Sequence, residues 1–191
     1  MFKKIIKNKS GFSLLEMLVA VTVFSVTVVS STQIFSMIVT GQRGSMAAAN
    51  LQESMHYAFE SIAKEIRGAV VSNGECSSLI APEPEAVNKV YNTTTNAEGD
   101  VLYFKNSNDV CTAYYLNNGT VTVVRGNNIA PTTSSKVTVS NLDFVMVDDS
   151  IGAFHSVQPR ITMRLEVEAD GKGITKQKME MQSTISGRYY E

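Results

Sequence analysis

Charged side chains are absent from residues 17–42 of this 191-residue chain. As a helix, this stretch is about 39 Å long, which is enough to cross a bilayer. Four lysines, with no acidic residue among them, come before it: Lys3, Lys4, Lys7 and Lys9. Basic residues ahead of an apolar stretch are the usual cytoplasmic flank of a membrane or signal segment. The sequence therefore predicts one membrane-spanning segment, with everything after Arg43 outside the cytoplasm.

Recognisable catalytic and metal-binding motifs are also absent. The chain has no Ser/His/Asp or Cys/His arrangement, no glycine-rich phosphate loop and no zinc spacing. The two histidines, His56 and His155, lie far apart, and His56 stands beside the apolar stripe of a predicted helix, where a packing role is more usual. We therefore expect neither an enzyme nor a cofactor, and an anchored enzyme is the weakest functional hypothesis.

An excess of positive charge is missing from the body of the protein. The leader holds four of the 17 basic residues, which leaves 13 against 18 acidic residues. A mildly acidic body gives no electrostatic reason to bind nucleic acid. Nucleic acid is therefore not an expected partner.

Cysteine is scarce, and the chain contains only Cys76 and Cys111. Outside the cytoplasm such a pair is more often a disulfide, whereas in a reducing cytosol two lone cysteines are usually unpaired and buried. A disulfide closing this loop would stabilise the fold by about 3–4 kcal/mol on the chain-entropy model. Two separate buried thiols are the alternative.

Carboxylates gather in the stretch DFVMVDDSIG, residues 143–152. Asp143, Asp148 and Asp149 are weak candidates for calcium ligands, because calcium prefers carboxylate and carbonyl oxygens. The stretch lacks the spacing of an EF-hand loop, so a solvated acidic turn is the favoured interpretation and no metal is expected.

Two periodicities organise the rest of the chain. Apolar residues at helical spacing predict an amphipathic helix over 46–71: Leu51, Met55, Phe59, Ile62, Ile66 and Val70. Residues 72–100, rich in Pro, Asn, Thr and Gly, predict a loop. From 101 to 187 the period is two, which predicts an antiparallel sheet with one face buried under the helix. The predicted class is α+β, a long N-terminal helix on an antiparallel head.

The predicted sheet contains recognisable hairpins. A hairpin is predicted over 113–125, where AYYL and TVTVVR are the two strands and NNG is the turn between them. The strand over 136–147 is expected to be interrupted near Ser140 and Asn141. The last hairpin turns at DGKG, 170–173, and its inner-face residues alternate with polar ones: Ile161, Met163, Leu165 and Val167 on the first strand, and Met179, Met181 and Ile185 on the return.

One carboxylate interrupts the apolar run KSGFSLLEMLVAV, residues 9–21. A lone acid near the middle of a bilayer costs about 2.5–3.5 kcal/mol on insertion scales. A purely hydrophobic anchor gains nothing from this residue, Glu16. We therefore expect Glu16 to have an ionic partner or a specific function.

The order of features in this segment resembles the processing site of type IV prepilins and of the pseudopilins of type II secretion. A basic leader, Gly11, the aromatic Phe12, Glu16 four residues later and a spanning helix follow one another. The resemblance covers roughly residues 7 to 40. It implies cleavage after Gly11 by prepilin peptidase, methylation of the new amine of Phe12, and a glutamate at the fifth mature position. The implied domains are a leader over 1–11, a transmembrane and assembly helix over 12–42, and a head over 43–191.

The resemblance also gives Glu16 a task. In a filament core it would meet the amine of a neighbouring subunit and fix the axial register, because paired charges are tolerable where a lone charge is costly. Two alternatives stay open. Glu16 of an uncleaved anchor could snorkel to the headgroups, or a conventional signal could be cleaved near VSS, 29–31, although an acid in the apolar region argues against this.

Within the family, the chain is most similar to the minor subunits. Major pilins usually have a proline in the embedded helix, and residues 12–71 contain none. FESIAKEIRGAV, 59–70, resembles the J-class minor pseudopilins and W-class minor pilins. The resemblance implies an inner-membrane precursor that assembles with other pilins or pseudopilins, including a place in an initiating tip complex. The alternative is a membrane-tethered binding module, either an adhesin or a DNA-uptake receptor. The acidic head argues against the binding of DNA.

Overall fold

The computed structural model describes residues 11–76, 89–147, 158–169 and 177–188. The chain divides into two compact units, with the division between Arg43 and Gly44. A single helix, α1, runs from Leu14 to Arg67 and belongs to both units. Within the described ranges eight strands follow it, all paired antiparallel. The predicted α+β class is confirmed.

In the second unit, α1 buries one apolar stripe against the head. Its buried residues follow the predicted helical spacing: Leu51, Met55, Ala58, Phe59, Ile62, Ala63 and Ile66. The prediction was wrong for Val70, which is 38% exposed and lies beyond the helix. The helix ends earlier than residue 71 because the chain leaves it to pair with the sheet, where Val70 N donates to Lys105 O at 2.9 Å.

The first sheet is a five-stranded meander. Its strands lie in chain order: β1 Tyr91–Asn96, β2 Gly99–Lys105, β3 Cys111–Asn117, β4 Thr120–Arg125 and β5 Asn128–Pro131. The predicted hairpin at 113–125 is confirmed by the pairing of β3 with β4. The loop predicted over 72–100 was wrong for Tyr91–Asn96. This polar stretch forms a strand because it pairs along its whole length with β2.

The second sheet has three strands in the order β6-β7-β8: Val137–Val147, Arg160–Ala169 and Lys178–Ser186. The predicted interruption is confirmed, since the register of β6 against β7 shifts between Val139 and Asn141. The predicted alternation along β7 is also confirmed, with every second residue from Ile161 to Ala169 buried. Ile185 is buried and Met179 and Met181 are partly buried. The predicted turn at 170–173 lies outside the described residues.

The expectation of a single sheet was therefore wrong, because the strands form two sheets that share a core. Phe144 N donates to Asp100 Oδ2 at 3.0 Å, and Val139 N donates to Gly119 O at 2.8 Å, so both bonds join β6 to the first sheet. The larger hydrophobic cluster contains residues of α1 and of both sheets. Alternation along each strand predicts which face is buried but does not say which strands share a sheet.

The turn between β3 and β4 depends on its glycine. Asn118 and Gly119 have φ values of 48° and 73°, which a two-residue hairpin turn requires. A Cβ at Gly119 would also lie 2.9 Å from Thr138 Cγ2. We expect Gly119→Ala to lower the free energy of unfolding by more than about 1 kcal/mol. Denaturant unfolding of the full chain in mild detergent, followed by tyrosine fluorescence, measures this.

Gly68→Ala is the matched control for this substitution. Gly68 is not among the residues with positive φ, and a Cβ there would make only ordinary contacts, 3.6 Å from Ser107 Cβ. The control should change the free energy of unfolding by less than about 0.5 kcal/mol. Equal losses for the two variants would contradict the assignment of the cost to the turn.

Candidate processing and assembly site

The peptide bond between Gly11 and Phe12 lies just outside α1. The helix begins at Leu14, and its first hydrogen bond runs from Met17 N to Ser13 O, at 3.2 Å. Ser13 is therefore the N-cap residue, whose carbonyl accepts the first helical bond while its own backbone is not helical. The helix start leaves the Gly11–Phe12 bond free of helical hydrogen bonding.

This bond is also accessible. The side chain of Phe12 is 77% exposed. A Cβ built on Gly11 would have nothing within 4 Å. A peptidase that binds its substrate backbone in a groove would therefore meet no steric obstruction from the described part of the chain.

Glu16 lies in the first turn of α1 and is exposed. The partial positive charge of a helix N-terminus favours a carboxylate at this place. Among the described residues, no side chain forms an ion pair or a hydrogen bond with its carboxylate. Within this part of a single chain the acid is unpaired, so a partner from another subunit has room to bind it.

Sequence reasoning missed the role of Ser13. The spacing from Ser13 to Glu16 is that of a capping box, S-x-x-E, a recognised signal for a helix N-terminus. This signal was present in the sequence and predicts a start at Leu14 instead of Phe12. The spacing therefore agrees with the observed helix start at Leu14.

From Leu14 to Arg43, nearly all side chains of α1 are exposed, which suits a membrane segment. Among the described residues, α1 is the one helix long and apolar enough to cross a membrane. Seven of its hydroxyl groups are satisfied internally, because they donate to backbone carbonyls one turn earlier: Thr22, Ser25, Thr27, Ser30, Ser31, Thr32 and Thr40. The helix is therefore compatible with a membrane anchor despite its Ser and Thr content.

Cys76 and Cys111 are joined by a disulfide, with their Cα atoms 5.4 Å apart. It ties the segment after α1 to the start of β3. Lys105 on β2 forms ion pairs next to it, with Glu75 at 2.7 Å and Asp109 at 3.2 Å. Hydrogen bonding to Glu75, and then to Asp109, raises the pKa of Lys105. The disulfide and these ion pairs fix the connection between the helix and the first sheet.

Of the three calcium candidates, Asp143 is the one that lies in the described residues. Asp143 lies on β6, where Asn141 Nδ2 donates to its Oδ2 at 2.8 Å. Asp148 and Asp149 lie outside the described residues. In the ranges that the structure covers, no three His, Cys, Asp or Glu side chains form a group that could hold a metal ion. Asp143 is therefore accounted for by its bond within the strand.

A polar cluster that the sequence did not indicate holds α1 to the first sheet. Arg125 Nε on β4 donates to Glu65 Oε1 at 2.9 Å, and Tyr114 is fully buried beside them. Burial, and then the nearby Glu65 charge, raises the pKa of Tyr114, while Glu65 also raises the pKa of Arg125. Glu65 and Arg125 are 60 residues apart, so no local spacing could have predicted their contact.

Together these features define a class of protein in which a membrane-compatible N-terminal helix, with an acid in its first turn and an accessible bond ahead of it, continues into an antiparallel head. A family model described as a prokaryotic N-terminal methylation motif matches residues 6–32. The match confirms the N-terminal motif predicted from the sequence, which indicates the family of type IV pilins and pseudopilins. No curated protein and no solved structure matches the chain.

Proposed function

We propose that this chain is a structural subunit of a type IV pilus-like filament or of a type II secretion pseudopilus. The observation that carries the proposal is the methylation motif over 6–32, which contains Gly11, Phe12 and Glu16 in the order the family requires. Prepilin peptidase would cut after Gly11 and methylate the new amine of Phe12. The accessible, non-helical Gly11–Phe12 bond supports this step.

Glu16 would then act in assembly. Cleavage creates a positive amine at Phe12, four residues before the acid. When subunits stack their helices, Glu16 of one subunit can pair with the amine of its neighbour, which makes both charges tolerable in a low-dielectric core. Because the pair forms at one offset along the helix axis, it fixes the register between subunits more than it adds stability.

The precursor would be a single-pass protein of the inner membrane with its head on the periplasmic or extracellular side. Lys3, Lys4, Lys7 and Lys9 keep the leader in the cytoplasm. Glu16 and Arg43 are separated by about 40 Å along α1, close to the 40–45 Å of a bilayer with its headgroups. An unassembled subunit can therefore hold both charges at the two polar interfaces.

We further propose a minor role, as in the J-class minor pseudopilins and W-class minor pilins, with a place in an initiating tip complex. Support comes from α1, which contains no proline from Leu14 to Arg67. Partners would be other major and minor pilins or pseudopilins together with the peptidase.

The first test is the N-terminus and intact mass of the membrane-extracted protein, with and without a co-expressed prepilin peptidase. We expect a chain that starts at Phe12 and is one methyl group heavier, only when the peptidase is present. A chain that still starts at Met1 with active peptidase, or that is cut near Ser31, would contradict the proposal. A known prepilin expressed in the same cells is the control for peptidase activity.

A further inference from the structure

The last strand of the second sheet, β8, pairs with β7 along one edge. Just before the strand, Ala169 N donates to Gln177 O at 2.8 Å, and just after it, Gly187 N donates to Pro159 O at 2.9 Å. Bonded pairs recur at every second residue of an antiparallel ladder, and the register of β7 with β8 has no shift. The backbone groups of the residues in between therefore point away from β7: Lys178, Glu180, Gln182, Thr184 and Ser186.

This second edge of β8 has no backbone partner in the part of the chain that the structure describes. No hydrogen bond between described residues reaches its outward N–H and C=O groups. Natural proteins block such an edge with charged side chains, a proline or a bulge. Residues 181–186 contain no charge and no proline, and the strand has no bulge. The edge is therefore open to pairing with another extended chain.

A groove of about 750 Å³ lies between this edge and α1. On the helix it extends from His56 to Arg67, which is about 17 Å of helix and the length of about five residues of extended strand. Its apolar lining comes from Phe59 and Ala63 on α1 and from Met181 on β8. The groove therefore has the length and the partly apolar wall that one short added strand requires.

Positive charge predominates along the groove. Lys64 and Arg67 line it and are exposed, and neither forms an ion pair with another described residue. Arg188 is also exposed and lies next to Arg67, because Arg188 N donates to Arg67 O at 3.0 Å. Glu60 is the one acid of the lining. Because opposite charges meet across specific interfaces, this groove favours an acidic partner.

We infer that the groove binds an extended acidic segment of another protein, which adds to β8 as a fourth strand of the second sheet. The backbone of the segment pairs with the outward groups around Gln182. Its alternate apolar side chains contact Phe59 and Met181, and its acidic side chain pairs with Lys64 or Arg67. Main-chain bonds supply the affinity and the side chains supply the specificity. The inference goes beyond the proposed function and does not depend on cleavage of the leader.

Methyl NMR on the full chain in mild detergent, with its methionine methyl groups labelled, tests the groove. The probe is a synthetic peptide of alternating valine and threonine that ends in two aspartates. We expect the probe to shift the methyl resonance of Met181, which lines the groove. The resonance of Met163, which is fully buried, should not move. The same peptide ending in two lysines should bind more weakly by about tenfold.

Variants at Gln182 separate strand pairing from other contacts. Gln182→Pro removes one outward N–H but leaves the bonds to β7 in place, so it should weaken binding of the probe by about tenfold. Gln182→Ala keeps this N–H and is the matched control, which should bind as wild type does. The double variant Lys64→Gln/Arg67→Gln changes two exposed side chains and should weaken binding by about fivefold.

Three results would overturn the inference. The first is a Met181 resonance that the probe does not shift. The second is a folded Gln182→Pro variant that binds as wild type does. The third is a Met181 resonance that moves with protein concentration before the probe is added, because a second copy of the chain then fills the groove. If Gln182→Pro does not fold, the double variant decides, and unchanged binding there contradicts an acidic segment.

Discussion

Removal of the disulfide is expected to lower the free energy of unfolding of the head by about 3–4 kcal/mol. Cys76 and Cys111 close a loop with a sequence separation of 35 residues, and opening it restores the entropy of that loop to the unfolded chain. The double variant Cys76→Ala/Cys111→Ala avoids leaving unpaired polar atoms at Cys76, which is buried. Denaturant unfolding of the full chain in mild detergent measures the change by tyrosine fluorescence, since the chain has no tryptophan.

Reduction of the wild-type protein is the independent control, because it opens the same loop without changing the sequence. Reduced wild type and the double variant should unfold at similar denaturant concentrations, both well below oxidised wild type. The double variant should not respond to reductant. If oxidised and reduced wild type unfold at the same midpoint, the disulfide does not contribute the expected stability.

The sequence predicted those parts of the fold that local periodicity determines. The helical stripe from Leu51 to Ile66 and the alternation along β7 were both read correctly. Each of these two patterns depends only on residues a few positions apart that lie on the same face. That spacing is a property of the helix or strand itself. The turn at Asn118 and Gly119 belongs to the same group, because its backbone requires residues that tolerate positive φ.

The parts that failed depend on pairing with other segments of the chain. Tyr91–Asn96 is polar and reads as a loop, and it becomes a strand because β2 offers it a paired edge. The division into two sheets and the Glu65–Arg125 pair are likewise set by tertiary contacts. For the sheet division and the Glu65–Arg125 pair, no window of neighbouring residues contains that information.

The candidate site was predictable because its features are local and ordered. Gly11, Phe12 and Glu16 lie within six residues of sequence, next to a spanning helix. The exact start of that helix was missed, although Ser13 and Glu16 have the spacing of a capping box. What one chain cannot supply is the partner of Glu16, since the described residues offer it none.

Replacing Glu16 with alanine is expected to spare membrane insertion and cleavage while reducing incorporation into a filament or pseudopilus by more than about 100-fold. The reason is that Glu16→Ala leaves the amine of a neighbouring Phe12 unpaired in a low-dielectric core, and breaking such a pair from one side costs about 3–5 kcal/mol. The cleavage site is unaffected, because the bond at Gly11 lies outside the helix that carries the acid. The measurement is the share of processed protein in the sheared filament fraction against the membrane fraction.

Two further variants separate charge from other effects. Glu16→Gln keeps the shape and the hydrogen-bonding capacity but removes the charge, so it should be nearly as defective as Glu16→Ala. Glu53→Ala removes an exposed acid further along the same helix, and it should assemble normally. If Glu16→Gln assembles as well as wild type, the acid does not act by pairing with an amine. If Glu16→Ala assembles normally with its partners, the register of the helices must be set by contacts outside the first turn of α1.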